Sequence, residues 1–175
     1  FSRTHVVLLT GAVGQPHEVS SRLVEARGIG VRSEFLNVLV GIEAVLEAAR
    51  HTGRDVHVVI AGGEHPRMAG EHGFAARLAS VYSDVATFTG WVADDDVTAW
   101  FSAADVAVFP YPRPFSSSGA FALALAHGTP GLLSPPLARC VGAPNVMSVP
   151  LDARSLAGRL DVPVVTVDLS TSGPP

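Results

Sequence analysis

Short apolar runs alternate along the chain with longer segments whose apolar positions recur at a helical spacing. His5 to Thr10, Val56 to Ala61, Val85 to Thr89, Asp105 to Phe109, Gly131 to Ser134 and Val146 to Val149 are rich in Val, Ile, Leu and Phe and bounded by Gly, Pro or Asp. Continuous apolar runs of that length predict buried strands. Between them, Ser33 to about Arg50 places Leu36, Leu39, Val40, Ala44 and Leu46 near a 3.6-residue repeat, which predicts a long helix burying one face. A second helix is predicted from about Glu71 to Tyr82, with Phe74, Leu78 and Val81 facing inward. Shorter helices are predicted within Gln15 to Arg27, from Val97 to Ala103, and from Ala153 to Leu160. Asp94, Asp95 and Asp96 precede the second of these, where carboxylates suit the positive end of the helix dipole. Pro135-Pro136 reads as a loop, and Val162 to Val167 as a last apolar run.

Strands that alternate with helices predict an α/β fold, a Rossmann-like doubly wound, mostly parallel sheet of about six strands with helices on both faces. At 175 residues one domain is expected, residues 1–168, followed by a frayed tail at 169–175. Every apolar run is interrupted by charged or polar residues or by Pro before it reaches the ~18 residues of a membrane span, so no transmembrane segment is expected. The net charge of −4 and the scattered basic residues lack the footprint of nucleic-acid binding. Cys140 is the single cysteine, which rules out an intrachain disulfide and a cysteine-based zinc site. The expected location is therefore cytoplasmic, compatible with peripheral membrane association of a longer protein. All twelve basic residues are Arg, so no mechanism can use a lysine ammonium or Schiff base. A first residue of Phe1 rather than Met suggests a piece of something longer.

The chain is organised around Asp105 to Pro130. Its strand is followed by a break at Pro110, Pro112 and Pro114, then by Ser116, Ser117, Ser118 and Gly119, then by an Ala/Leu run that stops at Gly128 and Pro130. Serine is a favoured N-cap and Gly followed by Pro a usual helix stop, so a helix of about 10–12 residues is expected to start near Ser117. The backbone N–H groups of its first turn, aided by the helix dipole, would seat an anion such as a phosphate.

Other local signals point less sharply. Gly11 and Gly14 follow the first strand, and Gly62 and Gly63 the second, at strand carboxyl ends where glycine lets backbone approach a ligand or merely supplies a turn. Neither pair matches the dinucleotide fingerprint or the P-loop, which disfavours a nicotinamide cofactor or an NTPase. The seven histidines form no H-E-x-x-H, and no Gly-centred calcium loop follows the three aspartates, so no metal is expected. Ser116 to Ser118 lack the surroundings of a nucleophile elbow, and helix capping accounts for them better.

The order of V-H-V-V-I-A-G-G, V-A-T-F-T-G-W-V, D-D-D-V-T-A-W-F-S-A-A-D-V-A-V-F-P, H-G-T-P and N-V-M-S-V-P-L-D-A-R-S-L-A resembles the C-terminal half of a family 4 glycosyltransferase. These are retaining enzymes of the two-domain GT-B architecture. The likeness runs from about Val56 to Leu160. It implies a half that binds a nucleotide-diphosphate sugar as donor substrate, needs no other cofactor, and works with an N-terminal half carrying the acceptor site. It also implies a nucleotide-sugar site at Gly11, Gly14, Gly62, Gly63, Trp91, Val92, Arg113, Ser116, Ser117, Ser118 and Gly119, with the backbone of Trp91 and Val92 beside the base.

The chain departs from the family in two respects. Two glutamates, eight residues apart, usually stand on the central stretch. Counting back from Gly128-Thr129-Pro130, Phe115 and Leu123 hold their places. The family's basic pair near the first loop has no clear counterpart, and only Arg32 or Arg113 could neutralise the diphosphate. Two functions therefore stand side by side: a donor half in which the serine-rich turn replaces the glutamates, and a non-catalytic GT-B-like module used for assembly or partner binding. No catalytic residue is assigned, and the isolated chain is expected to be inactive.

Overall fold

The computed structural model describes residues 4–9, 31–62, 74–90, 92–112 and 118–161. Five strands form one sheet: β1 (Thr4–Leu9), β2 (Val56–Ala61), β3 (Ala86–Gly90), β4 (Val106–Phe109) and β5 (Gly131–Leu133). All neighbouring strands are parallel, in the order β3-β2-β1-β4-β5. The helices are α1 (Val31–His51), α2 (Phe74–Val81), α3 (Asp94–Ala103), α4 (Gly119–Ala126), α5 (Pro135–Val141) and α6 (Ala153–Leu160).

Successive side chains of a strand point to opposite faces, and here the two faces build two cores. Val106 and Val108 of β4 join Leu132, Val58 and Ile60 beneath Val45, Leu46, Leu78 and Leu156, which come from α1, α2 and α6. Ala107 and Phe109 join Leu133 and Ala61 against Phe101, Phe121 and Leu137, which come from α3, α4 and α5. β4 is buried at all four positions because both of its faces are covered. That is why its sequence reads as a continuous apolar run.

Three elements differ from the sequence-based expectation. Pro135-Pro136 opens α5 rather than a loop: Ser134 caps it by accepting a hydrogen bond from the Leu137 N–H at 3.4 Å, and proline needs no donor in a first turn. Val146 to Val149 is not a sixth strand. Asn145–Met147 forms a 3-10 turn, and one parallel bridge from Ser148 to Leu133 is all the pairing that follows. Val146 points to solvent, 44% exposed, while Met147 and Val149 are buried, so the segment anchors itself in the core without lengthening the sheet. The helix expected near Ser117 has its cap at Ser118 and spans eight residues, Gly119–Ala126. The expected helix within Gln15 to Arg27, the apolar run Val162 to Val167 and the tail lie outside the described residues. No helix among the described residues is long and apolar enough to cross a membrane.

Candidate functional site

β1 lies between β2 and β4, so the strand order reverses at β1 and β4. In parallel sheets a crevice opens there, outside the carboxyl ends of the strands. β4 leads into that crevice through Pro110, Tyr111 and Pro112. The chain re-enters the described structure at Ser118, directly before α4.

Four residues hold this turn in a closed circuit. The Tyr111 and Phe109 rings are tilted with centroids 6.4 Å apart, and Phe109 meets Phe121 edge-on at 5.5 Å. The Phe121 N–H donates to Ser118 Oγ at 3.3 Å, and Ser118 in turn is hydrogen-bonded to the Tyr111 hydroxyl. Burial pushes the Tyr111 phenol up from its ordinary pKa, and the Ser118 hydrogen bond partly offsets that rise. From β5, Ser134 donates its hydroxyl to the Tyr111 carbonyl, and its N–H donates to the Phe109 carbonyl at 3.1 Å. Ser134 is buried, so the cap of α5 and the exit of β4 share one hydroxyl.

Ser118 has φ +57°, the sole positive φ outside glycine among the described residues. A side chain with a Cβ in a sparsely populated region costs about 1–3 kcal/mol and persists where its surroundings fix it. The circuit supplies that fixing. Gly119, next in the chain, is exposed, and a Cβ added to it would meet nothing within 4 Å. Among the described residues, nothing closes the mouth of α4 on that side.

The far end of α4 is closed. Gly128 has φ +68°, its N–H donates to Leu125, and the Thr129 N–H reaches back to Ala124 at 2.9 Å, a Schellman pattern that satisfies the last carbonyls. The buried Thr129 hydroxyl donates to the Phe101 carbonyl at 3.0 Å, while His127 stacks on the Phe101 ring at 5.7 Å. H-G-T-P therefore stops α4 and ties it to α3.

α1 also reaches this region. A Cβ at Gly41 would lie 2.9 Å from the Pro110 Cβ and closer still to its carbonyl oxygen. Only glycine lets the helix approach the exit of β4 so closely.

The family model for glycosyl transferases group 1 matches residues 29–162, about three quarters of the chain. The chain belongs to that family. No curated protein sequence matches it. Among solved structures, a sucrose-phosphate synthase from Thermosynechococcus elongatus superposes with a TM-score of 0.62 at 22% identity, over 90% of this chain and 35% of the other. HepE of Anabaena, solved with UDP and glucose, gives 0.61 at 13% identity over 90% and 38%; solved with UDP-glucose, it gives 0.57 at 15% over 89% and 37%. At these identities the likeness speaks for the fold. The chain spans little more than a third of those proteins.

Within this group 1 glycosyl transferase, the expected site residues fall into three sets. Ser118 and Gly119 stand together at the mouth of α4. Gly62 and Val92 stand at the carboxyl ends of β2 and β3, and their main uses there are structural. Gly62 has φ +124° and donates its N–H to the Gly90 carbonyl at 3.0 Å, so that donor closes the sheet rather than facing a ligand. The Val92 side chain is buried in the core beside Val97 and Phe101. Gly11, Gly14, Gly63, Trp91, Arg113, Ser116 and Ser117 lie outside the described residues, as do Arg32's side chain and Phe115. Leu123 is half-buried and packs on the Phe109–Phe121 core. The described residues hold no group of three or more His, Cys, Asp or Glu able to bind a metal.

Sequence reasoning missed Tyr111, Ser134 and Gly41. Ser134 was legible as a serine before Pro-Pro, an N-cap followed by the residue that favours a helix start. The other two depend on contacts across the sheet and leave no local signal.

Proposed function

We propose that this chain is the donor half of a retaining, family 4 glycosyltransferase of GT-B architecture. It binds a nucleotide-diphosphate sugar without the usual paired glutamates. The observation that carries the reading is the position of α4, whose open first turn begins at the carboxyl end of β4, where the strand order reverses. Membership of the group 1 family supports transfer of a sugar, and the UDP and glucose bound to HepE support a nucleotide sugar as the donor class. The N–H groups of Gly119 and Ala120, unpaired within any α-helix at those first-turn positions, would cradle the diphosphate, with Arg113 supplying charge. Gly11, Gly14, Gly62, Gly63, Trp91, Val92 and Ser116 to Ser118 would complete the walls.

An acceptor would bind to an N-terminal half across a cleft, in a cytoplasmic protein. Chemistry in such a cleft needs both halves, so these 175 residues alone should transfer no sugar. One observation favours the second reading, a non-catalytic module for assembly or partner binding. Leu123, half-buried, packs against the core at the position where the family resemblance expects a ligand-facing acid.

Calorimetric or NMR titration with uridine, guanosine and adenosine diphosphates separates the two. The donor reading expects weak binding of one of them, from ~10 μM to millimolar. Gly119→Asp puts a carboxylate against the phosphate seat, removing two charge-assisted hydrogen bonds and weakening binding by about two orders of magnitude or more. The fold should survive, because a side chain there meets open space and an acid suits a first turn. Absence of binding to all three at millimolar concentration would favour the non-catalytic module.

A further inference from the structure

The circuit Tyr111–Phe109–Phe121–Ser118 joins the caps of two helices through one side chain. Tyr111 offers its carbonyl to Ser134, which caps α5, and its hydroxyl to Ser118, which caps α4. Its ring rests on Phe109, whose other edge supports Phe121, and Phe121 supplies the N–H that Ser118 accepts. Ser118 meanwhile sits at φ +57°, a conformation a serine does not choose without constraint. The backbone on the exit side of β4 is itself fixed from two directions, by the Ser134 N–H on the Phe109 carbonyl and by Gly41 packed on Pro110.

We propose that Tyr111 is a positioning residue: through Ser118 it sets the direction of the first turn of α4, and so the aim of the N–H groups that would receive the diphosphate. The inference rests on the donor reading for its use, though not for its mechanics. The Ser118 hydroxyl already serves the Phe121 N–H and the Tyr111 phenol, so its part at the mouth of α4 is to shape the backbone. Removing the phenol hydroxyl frees Ser118 to relax toward negative φ. Leaving the positive-φ region takes ψ of Ser118 with it, away from its present +101°, and that change in ψ rotates the plane of the Ser118–Gly119 peptide and turns the Gly119 N–H away from the seat. The ring, and with it the Phe109 contact, stays.

Tyr111→Phe tests this with two readouts on the whole chain. Native-state amide hydrogen exchange, measured without ligand, should become about tenfold faster at Phe121 because its acceptor is no longer held. UDP, titrated by NMR, should bind about tenfold more weakly, the loss expected from one misdirected hydrogen bond. Unchanged exchange at Phe121 would overturn the positioning claim. Faster exchange with unchanged UDP affinity would overturn its link to the donor. If the parent chain binds no UDP, the donor reading fails instead, and exchange at Phe121 still decides whether Tyr111 positions α4.

Discussion

The two edges of the sheet are held by different chemistry. At the amino edge, where α1 ends and β3 begins, ionised groups are paired. Arg50 forks onto Asp84 at 2.7 and 3.2 Å, donates to the Val81 carbonyl, and lies 4.3 Å over the Tyr82 ring, while Tyr82 donates to Glu47. The Arg50 hydrogen bond holds the Asp84 carboxyl below its usual range. Nearby, Asp161 accepts from Thr52 and from the Gly53 N–H, which joins the end of α6 to the end of α1. At the carboxyl edge, the described residues of the β4–α4 and β5–α5 turns carry no ionised side chain. Hydroxyls, backbone groups and aromatic rings do the holding there.

The contrast separates two tasks. Charge pairs in solvent add little stability each, yet they consume every strong local field they touch. On the donor reading, the mouth of α4 needs the opposite: donors aimed outward, and no carboxylate to repel the anion. Hydroxyl caps and ring contacts fix the backbone without spending that field.

The largest effect that would break the carboxyl edge comes from Gly41. Alanine there gains roughly 1 kcal/mol of helix propensity, but its Cβ must push the backbone of Pro110, which has no flexible end to give way. A net loss of about 1–3 kcal/mol is expected, read as a fall in thermal or urea midpoint. Because Pro110 opens the β4–α4 turn, nucleotide binding should weaken too. An unchanged midpoint would show that α1 does not brace the turn.

Leu123→Glu sharpens the same edge with a smaller effect. The leucine packs on the Phe109–Phe121 core but is only half-buried, so a glutamate can lift its carboxylate partly into water. The expected loss is about 1–2 kcal/mol, below the cost of a fully buried charge. A melting temperature equal to that of the parent chain would mean that position 123 faces solvent rather than the core.

Much of this was legible from the residues. The runs at Val56, Val85, Asp105 and Gly131 are strands to within a residue of their expected bounds. β2, β4 and β5 are buried along almost their whole length, which is why they read as apolar runs, while β3 is an edge strand with alternating Thr and Phe. Asp94 to Asp96 do begin a helix, and Ala153–Leu160 is the helix its spacing predicts, capped by Asp152 on the Ser155 N–H at 2.8 Å. The cap among three consecutive serines was not legible. Each can cap equally well, and the choice of Ser118 depends on Phe121 and Tyr111 meeting it across a turn. Val146 to Val149 misled for a related reason. β-branched residues favour a pleated, half-buried surface, and only a single bridge to β5 is formed here. Local sequence reports what a segment can form; partners across the sheet decide which option is taken.

The smallest effect belongs to the amino edge and is read through pH. Burial, and then the hydrogen bond to Glu47, raises Tyr82 from 10.0 to about 12. A folded-state value above the unfolded one means that the fold favours the protonated phenol. Its contribution is therefore complete below pH 10 and fades as the pH climbs from 10 toward 12. Tyr82→Phe should remove this part of the alkaline loss while leaving any due to Tyr111, whose phenol is also raised. Urea midpoints compared at steps across that window isolate the difference, and an absorbance titration of the phenolate locates the group itself. If the two proteins lose stability in parallel, Tyr82 titrates as it would in water, and the amino edge is held by the Arg50–Asp84 pair without it. On the donor reading, nucleotide binding should not follow Tyr82, which stands at the amino ends of the strands while the mouth of α4 stands at their carboxyl ends.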